Sequence, residues 1–168
     1  MKYLLTIFFL CFGSTLKAQV EKDHLIGKYQ DYFGDRIEIK ADSTFRYSWQ
    51  FDLAASWSKG IWKIKNDTVY FKTIPVYDTL RYKNNQGKFV DSLVLSDLEK
   101  PKLIFTPNID EMLSSGGQNR EQCPLKLFLK DERLYGITEY GKLVTKKVRG
   151  FWDPSKKWDP WYFKEIEK

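Results

Sequence analysis

The segment Thr44-Phe45-Arg46-Tyr47-Ser48-Trp49-Gln50-Phe51-Asp52 alternates between large aromatic and polar side chains. Successive side chains of a β-strand point to opposite faces, so this alternation places all the aromatic rings on one face. A helix would scatter the same rings around its circumference. The segment therefore predicts a strand with one buried face and one solvated face.

The same alternation recurs along the chain, and residues that favour turns separate the alternating runs. Short connections make neighbouring strands antiparallel, and closing a long meander removes its two exposed edges. We therefore expect an all-β fold, an antiparallel up-and-down meander closing into a barrel of roughly eight to ten strands with one or two short helical turns. The expected helical turns lie at 96–99 and 107–113, and strands are expected near 26–33, 36–40, 44–52, 57–65, 68–74, 78–83, 88–95, 102–106, 125–130, 133–138 and 142–148.

The inward face of such a barrel is rich in aromatic rings. A barrel of this size either holds a small ligand in its interior or is filled by its own side chains. The candidate ligand-binding residues are Tyr47, Trp49, Trp62 and Phe71.

Composition excludes several other classes of protein. The chain has 168 residues, of which 42% are hydrophobic and 30% charged, a balance typical of globular proteins and not of disordered ones. One histidine, His24, does not supply a multi-histidine metal site, and two cysteines do not supply a disulfide-rich scaffold. We identify no catalytic or metal-binding residues, and we expect no cofactor.

The N-terminus has the pattern of a secretory signal peptide. Met1-Lys2 is followed by an apolar run to Phe12, which is too short for a permanent membrane span. We expect cleavage after Ala18, so residues 1–18 are the signal peptide and 19–168 form a single exported domain, periplasmic or secreted. Cys11 offers an alternative, a lipoprotein, which Leu10 disfavours because a small residue is expected before an acylated cysteine.

Basic residues are concentrated towards the C-terminus. Lys142, Lys146, Lys147 and Arg149 lie in a stretch without acidic residues. The solvated face of one strand explains them, and attraction to an anionic lipid, glycan or partner is the alternative. Nucleic acid is not an expected partner, because no nucleic-acid-binding motif is present.

The tail, residues 150–168, repeats the triplet Trp-Asp-Pro at 152–154 and 158–160. Its rings either fold back as a plug over the barrel or form a platform for a sugar, a membrane interface or a partner protein. The second interpretation gives a candidate interaction surface comprising Lys146, Lys147, Trp152, Trp158 and Trp161.

Gly27-Lys28-Tyr29 opens the first expected strand, and Arg149 follows the last. With the segments 41–47 and 57–63, this arrangement resembles small exported bacterial proteins of lipocalin-like, calycin-type fold, with Tyr29 where the family has Trp. The resemblance implies that Gly27, Tyr29 and Arg149 close one end of the barrel. It fits our leading hypothesis, a non-enzymatic barrel that binds a small apolar or amphipathic ligand in its interior. The alternative is an envelope interaction module that uses the aromatic and basic C-terminal region.

Overall fold

A computed structural model describes residues 24–105, 117–119, 122–151 and 153–166. Within these residues helix is confined to His24 and Leu25, and the regular structure is otherwise β. The strands are β1 (Gly27–Gln30), β2 (Asp35–Ile39), β3 (Thr44–Phe51), β4 (Ala54–Lys65), β5 (Thr68–Thr73), β6 (Tyr77–Lys83), β7 (Phe89–Leu95), β8 (Leu103–Ile104), β9 (Lys126–Lys130), β10 (Arg133–Gly136), β11 (Val148–Arg149), β12 (Lys157–Trp158) and β13 (Tyr162–Lys164).

Eight strands form a closed antiparallel barrel in the order β1-β2-β3-β4-β5-β9-β10-β13. The last strand returns to the first, with Tyr29 opposite Lys164. The predicted all-β barrel is therefore confirmed, with eight strands. The inward alternation of β3 also follows from its register, because Tyr47 lies between Ile37 and the small Ser58 of the neighbouring strands.

The strand that closes the barrel is β13, which comes from the tail. The prediction that 142–148 forms the last strand is wrong, because β11 begins only at Val148 and pairs with β12 outside the barrel. Three residues of β13 fill the gap between β10 and β1, so neither of those strands is left with an exposed edge. Arg149 consequently does not follow the last barrel strand.

Large side chains pack in the barrel interior. Phe45 and Phe71 meet edge to face with ring centroids 4.9 Å apart, a favourable arrangement for aromatic pairs. The buried cluster comprises Leu25, Tyr29, Ile37, Ile39, Phe45, Tyr47, Trp62, Val69, Phe71, Cys123, Leu127, Leu134 and Tyr162.

Strands β6, β7 and β8 form a separate three-stranded sheet, here called the arm (residues 77–105). The predicted strands in this region are present, but they lie outside the barrel. Side chains fasten the arm to the barrel wall: Trp57 Nε1 donates to the carbonyl of Asp97 at 3.0 Å, and Arg46 Nε donates to Glu99 at 2.6 Å. The predicted helical turn at 96–99 is instead a bend, in which Ser96 Oγ accepts a hydrogen bond from Leu98 N.

Several predictions fall outside the described residues. These are the signal peptide at 1–18, including Cys11, the short helix at 107–113, and Trp152.

Candidate functional site

The four residues predicted to bind a ligand lie at two levels of the barrel. Tyr47, Trp62 and Phe71 are buried, with at most 6% of each residue exposed. The Trp62 indole donates to the carbonyl of Lys40 at 3.0 Å, which fixes the ring. Trp49 is half-buried and stacks on Phe51, with ring centroids 6.4 Å apart. The structure thus places three of these rings in the packed core and the fourth towards one end.

A half-buried carboxylate, that of Asp35, accepts two hydroxyl hydrogen bonds inside the barrel. Tyr47 OH donates to Asp35 Oδ1 at 2.6 Å, and Tyr162 OH donates to Asp35 Oδ2 at 3.3 Å. Burial raises the pKa of Asp35, and the two hydroxyls oppose that shift. Burial also raises the pKa of both tyrosines, and the carboxylate adds to the effect.

Two further groups adjoin this polar cluster. Asp31 Oδ1 accepts from the backbone N–H groups of Phe33 and Asp35, so this carboxylate holds the β1–β2 turn. Cys123 is 4% exposed, and burial with the nearby Asp35 charge raises the pKa of its thiol to about 12. A protonated, buried thiol is a poor nucleophile, so the cluster is better suited to holding the barrel together than to covalent chemistry.

Gly27, Tyr29 and Lys164 lie together at the end of the barrel where β1 begins, here called the closed end. Tyr29 OH donates to the carbonyl of Leu25 at 2.9 Å. Lys164 Nζ lies 5.9 Å from the centre of the Tyr29 ring and donates to the carbonyl of His24 at 2.7 Å. A Cβ on Gly27 would lie 2.7 Å from Lys164 Cε, so the glycine lets the lysine stem cross the strand.

The cation beside Tyr29 is therefore Lys164, whereas Arg149 lies exposed in β11 opposite Lys157. A signal for Lys164 was present in the sequence, since Tyr162 and Lys164 alternate with Phe163 as strand residues do. We did not identify this strand from the sequence, because Pro160 lies just before it and because the basic run before Arg149 resembles a closing strand more closely.

The opposite end, here called the aromatic end, is lined by Tyr32, Phe51, Phe151 and Trp158. Tyr32 lies 4.7 Å from Trp158, and Phe51 lies 5.3 Å from Phe151 in an edge-to-face contact, measured between ring centroids. These rings border a groove of about 700 Å³. Gln50, Asp52, Asp153 and Lys156 supply polar groups around the same groove.

The residues of the predicted interaction surface are spread over different surroundings. Trp158 packs on Tyr32, and Trp161 lies 5.2 Å from Tyr135, measured between ring centroids. Lys147 forms an ion pair with Asp159 at 3.1 Å, and Lys146 is exposed. Of the four members of this set that the structure describes, Lys146, Lys147, Trp158 and Trp161, only Trp158 lines the aromatic-end groove.

A second groove, of about 1250 Å³, lies between the arm and the outer wall of the barrel. Arg36, Arg46 and Lys100 contribute to its lining, together with Asp97 and Glu99. Ion pairing and hydrogen bonding across it, such as Arg46 to Glu99, join the arm to the barrel. We interpret this larger groove as a structural junction, because the Arg46–Glu99 ion pair and the hydrogen bond from Trp57 to the carbonyl of Asp97 cross it.

Tyr32, Phe51 and Phe151 were missed as site residues by sequence reasoning. The alternation identified Phe51 as an inward residue, but nothing in it distinguishes a rim position from a core position. Tyr32 lies in a turn and Phe151 in the tail, and only the closed barrel brings them to one end.

Among the described residues, no group of three or more His, Cys, Asp or Glu side chains is arranged to hold a metal ion. The helical residues in this part of the chain are too few to form a membrane-crossing helix. Comparisons with protein-family models, with curated proteins and with solved structures give no match.

Proposed function

We propose that this chain is an exported, lipocalin-like β-barrel that binds a small amphipathic ligand and is not an enzyme. The eight-stranded antiparallel barrel supports the lipocalin-like assignment, as does the closed end. There Gly27 and the aromatic Tyr29 of the first strand contact the cationic Lys164 of the last strand. The signal-peptide pattern of residues 1–18 supports export.

We place the ligand at the aromatic end. The observation that supports this choice is the groove of about 700 Å³ bordered by Tyr32, Phe51, Phe151 and Trp158. Small-molecule sites are typically concave, mostly apolar and fitted with a few polar groups, and this groove has those properties. Its aromatic faces suit the flat apolar part of a ligand, while the exposed Gln50 and Asp52 suit its polar part.

The interior site predicted from the sequence would require core side chains to move, whereas the aromatic-end site would not. A ligand in the interior would have to displace Tyr47, Trp62 or Phe71, which are buried and packed. A ligand at the aromatic end uses space that is already open. The interior site stays a prediction, as does the alternative interaction module.

The proposal is tested with 1-anilinonaphthalene-8-sulfonate, a small aromatic amphiphile whose fluorescence rises in apolar surroundings. Phe151→Ala and Trp158→Ala should each weaken its binding about tenfold, since each removes one wall of the groove. The matched control is Tyr140→Ala, because Tyr140 is also an exposed aromatic residue, 80% against 73% for Phe151, but lies outside the groove and the arm. Equal losses in Tyr140→Ala and Phe151→Ala would contradict the aromatic-end site.

Native mass spectrometry of the chain purified from its own host tests the function itself. We expect a bound species of added mass that is lost on mild activation, and that is reduced in Trp158→Ala. A chain that is always free of added mass, and that also fails to bind the dye at the aromatic end, would contradict ligand binding.

A further inference from the structure

One face of the arm exposes a row of large apolar side chains. Leu93 is 69% exposed, Phe89 is 64% exposed and Phe105 is 60% exposed. They share this face with Tyr77, Leu95 and Leu103, as the pairing of β6 with β7 and β8 shows. So many large apolar side chains exposed on one face mark an interaction surface.

The arm also has an unpaired edge. Among the described strands, β7 pairs with β6 alone. Ser96 N donates to the carbonyl of Val76, and Asn84 N donates to the carbonyl of Lys88. These two bonds show which residues of β7 direct their backbone groups towards β6. Because antiparallel strands alternate their hydrogen bonding, the backbone groups of residues 90, 92 and 94 face β6. Those of Phe89, Asp91, Leu93 and Leu95 face the open edge.

We propose that a second copy of this chain covers the arm through antiparallel pairing of the two β7 strands about a twofold axis at Ser92. In this register Phe89 lies opposite Leu95 of the second copy, and Asp91 lies opposite Leu93 of the second copy. The two arms then form one six-stranded sheet, in which the backbone groups of the two β7 edges are paired and both apolar rows lie on the same face.

Charge complementarity supports the antiparallel orientation. The hairpin tip of the arm carries Lys83 and Lys88, and its base carries Asp97, all of them exposed. The proposed register places Lys88 of one copy beside Ser96 and Asp97 of the other. Opposite charges therefore meet at both ends of the paired strands, whereas a parallel pairing would bring like charges together.

The centre of the face favours a protein partner over a lipid surface. Arg81 and Asp91 form a two-point ion pair there, with both nitrogen–oxygen distances at 2.7 Å. Burial of that pair in lipid would be costly, because hydrocarbon offers no further hydrogen-bond partners. In the proposed dimer the pair lies beside the second copy's backbone and remains near solvent at the sheet surface.

The test is sedimentation equilibrium on the exported chain from about 1 μM to about 500 μM, a range that covers weak to moderate dimers. We expect a reversible dimer. Leu93→Lys should raise its dissociation constant roughly a hundredfold, because the change occurs in both copies. Leu125→Lys is the matched control, since Leu125 is 78% exposed on the barrel and should leave the constant within about twofold.

A cysteine crosslink tests the register. Ser92 is exposed and lies on the proposed axis, so Ser92→Cys should give a covalent dimer on mild oxidation. Gln86→Cys, at the exposed hairpin tip, should not. Failure of the Ser92→Cys crosslink in a chain that dimerises would overturn edge-to-edge pairing.

Three results would overturn the proposal as a whole. One is a chain that is monomeric at every concentration, and another is an equal effect of Leu93→Lys and Leu125→Lys. The third is a monomer that binds vesicles containing about 30% anionic phospholipid and loses that binding in Leu93→Lys, which would assign the face to a membrane surface.

Discussion

Removing the hydroxyl of Tyr47 should destabilise the barrel more than removing the hydroxyl of Tyr29, although both residues are fully buried. Tyr47 OH donates to the carboxylate of Asp35 at 2.6 Å, whereas Tyr29 OH donates to the backbone carbonyl of Leu25 at 2.9 Å. Both substitutions to Phe keep the ring and nearly keep the volume. The comparison therefore isolates the charge of the acceptor.

The expected magnitudes follow from that difference. A hydrogen bond between neutral groups contributes about 1 kcal/mol, and one to a charged group about 2 kcal/mol. We expect losses in the free energy of unfolding of about 1 kcal/mol for Tyr29→Phe and about 2 kcal/mol for Tyr47→Phe at a pH of about 8.

The Tyr47→Phe loss should also depend on pH. Burial already places the pKa of Asp35 above its unfolded value, so the folded chain holds this proton more tightly and loses stability as the carboxyl ionises with rising pH. Without the Tyr47 hydroxyl the pKa of Asp35 rises further. The difference in stability between wild type and Tyr47→Phe should therefore be small near pH 3. It should be full near pH 8, where the ionised carboxylate keeps only the longer hydrogen bond from Tyr162.

Urea denaturation followed by tryptophan fluorescence measures both variants at the two pH values. Equal losses for Tyr29→Phe and Tyr47→Phe at the higher pH, or a Tyr47→Phe loss that does not change with pH, would refute the reasoning. Asp35→Asn in the Tyr47→Phe background provides a check, because removing the charge should recover part of the lost stability.

Other changes test separate parts of the fold. The free energy of unfolding should fall by about 3 kcal/mol per pH unit near pH 10 and about 5 near pH 11, because burial raises the pKa of Tyr29, Tyr47, Tyr162 and Cys123. Tyrosine absorbance near 295 nm should show three rings ionising only on unfolding, and early ionisation of all rings would contradict this. In thermal unfolding, Gly60→Ala should lower the free energy of unfolding by about 3 kcal/mol, because the added Cβ would lie 2.0 Å from the carbonyl oxygen of Lys72. Gly136→Ala should lower it by less than about 1 kcal/mol, because its Cβ would meet only the side chain of Val144 at 3.3 Å. Similar losses for the two variants would count against the strand register. A chain ending at residue 161 lacks β13 and should lose its cooperative thermal transition, whereas a native-like transition would show that the tail strand is dispensable.

The strands were predictable because a pleated strand with one buried face leaves a period of two in the sequence. Phe45, Tyr47 and Trp49 show this period with large rings. The residues opposite them on β2 and β4 point to the same face. The location of the arm was not predictable in the same way. Its strands alternate like those of the barrel, and only the tertiary structure determines which hairpins are enclosed.

The closing strand and the polar cluster illustrate a different limit. β13 has three residues after a proline, too short for periodicity to identify. Asp31 and Asp35 flank the turn between β1 and β2, and their positions in the sequence do not distinguish their roles. Asp31 does cap the turn, but Asp35 points inside because it is the first inward residue of β2, where two tyrosine hydroxyls reach it.

Closure by the tail is the claim on which the rest of the account depends, and NMR measures it directly. Nuclear Overhauser effects between backbone protons across strands should connect β13 to both neighbours, through the pairs Tyr29 with Lys164 and Leu134 with Tyr162. Effects on both sides of β13 are the predicted result. Their absence on either side, with β1 or β10 left unpaired, would contradict the closed barrel.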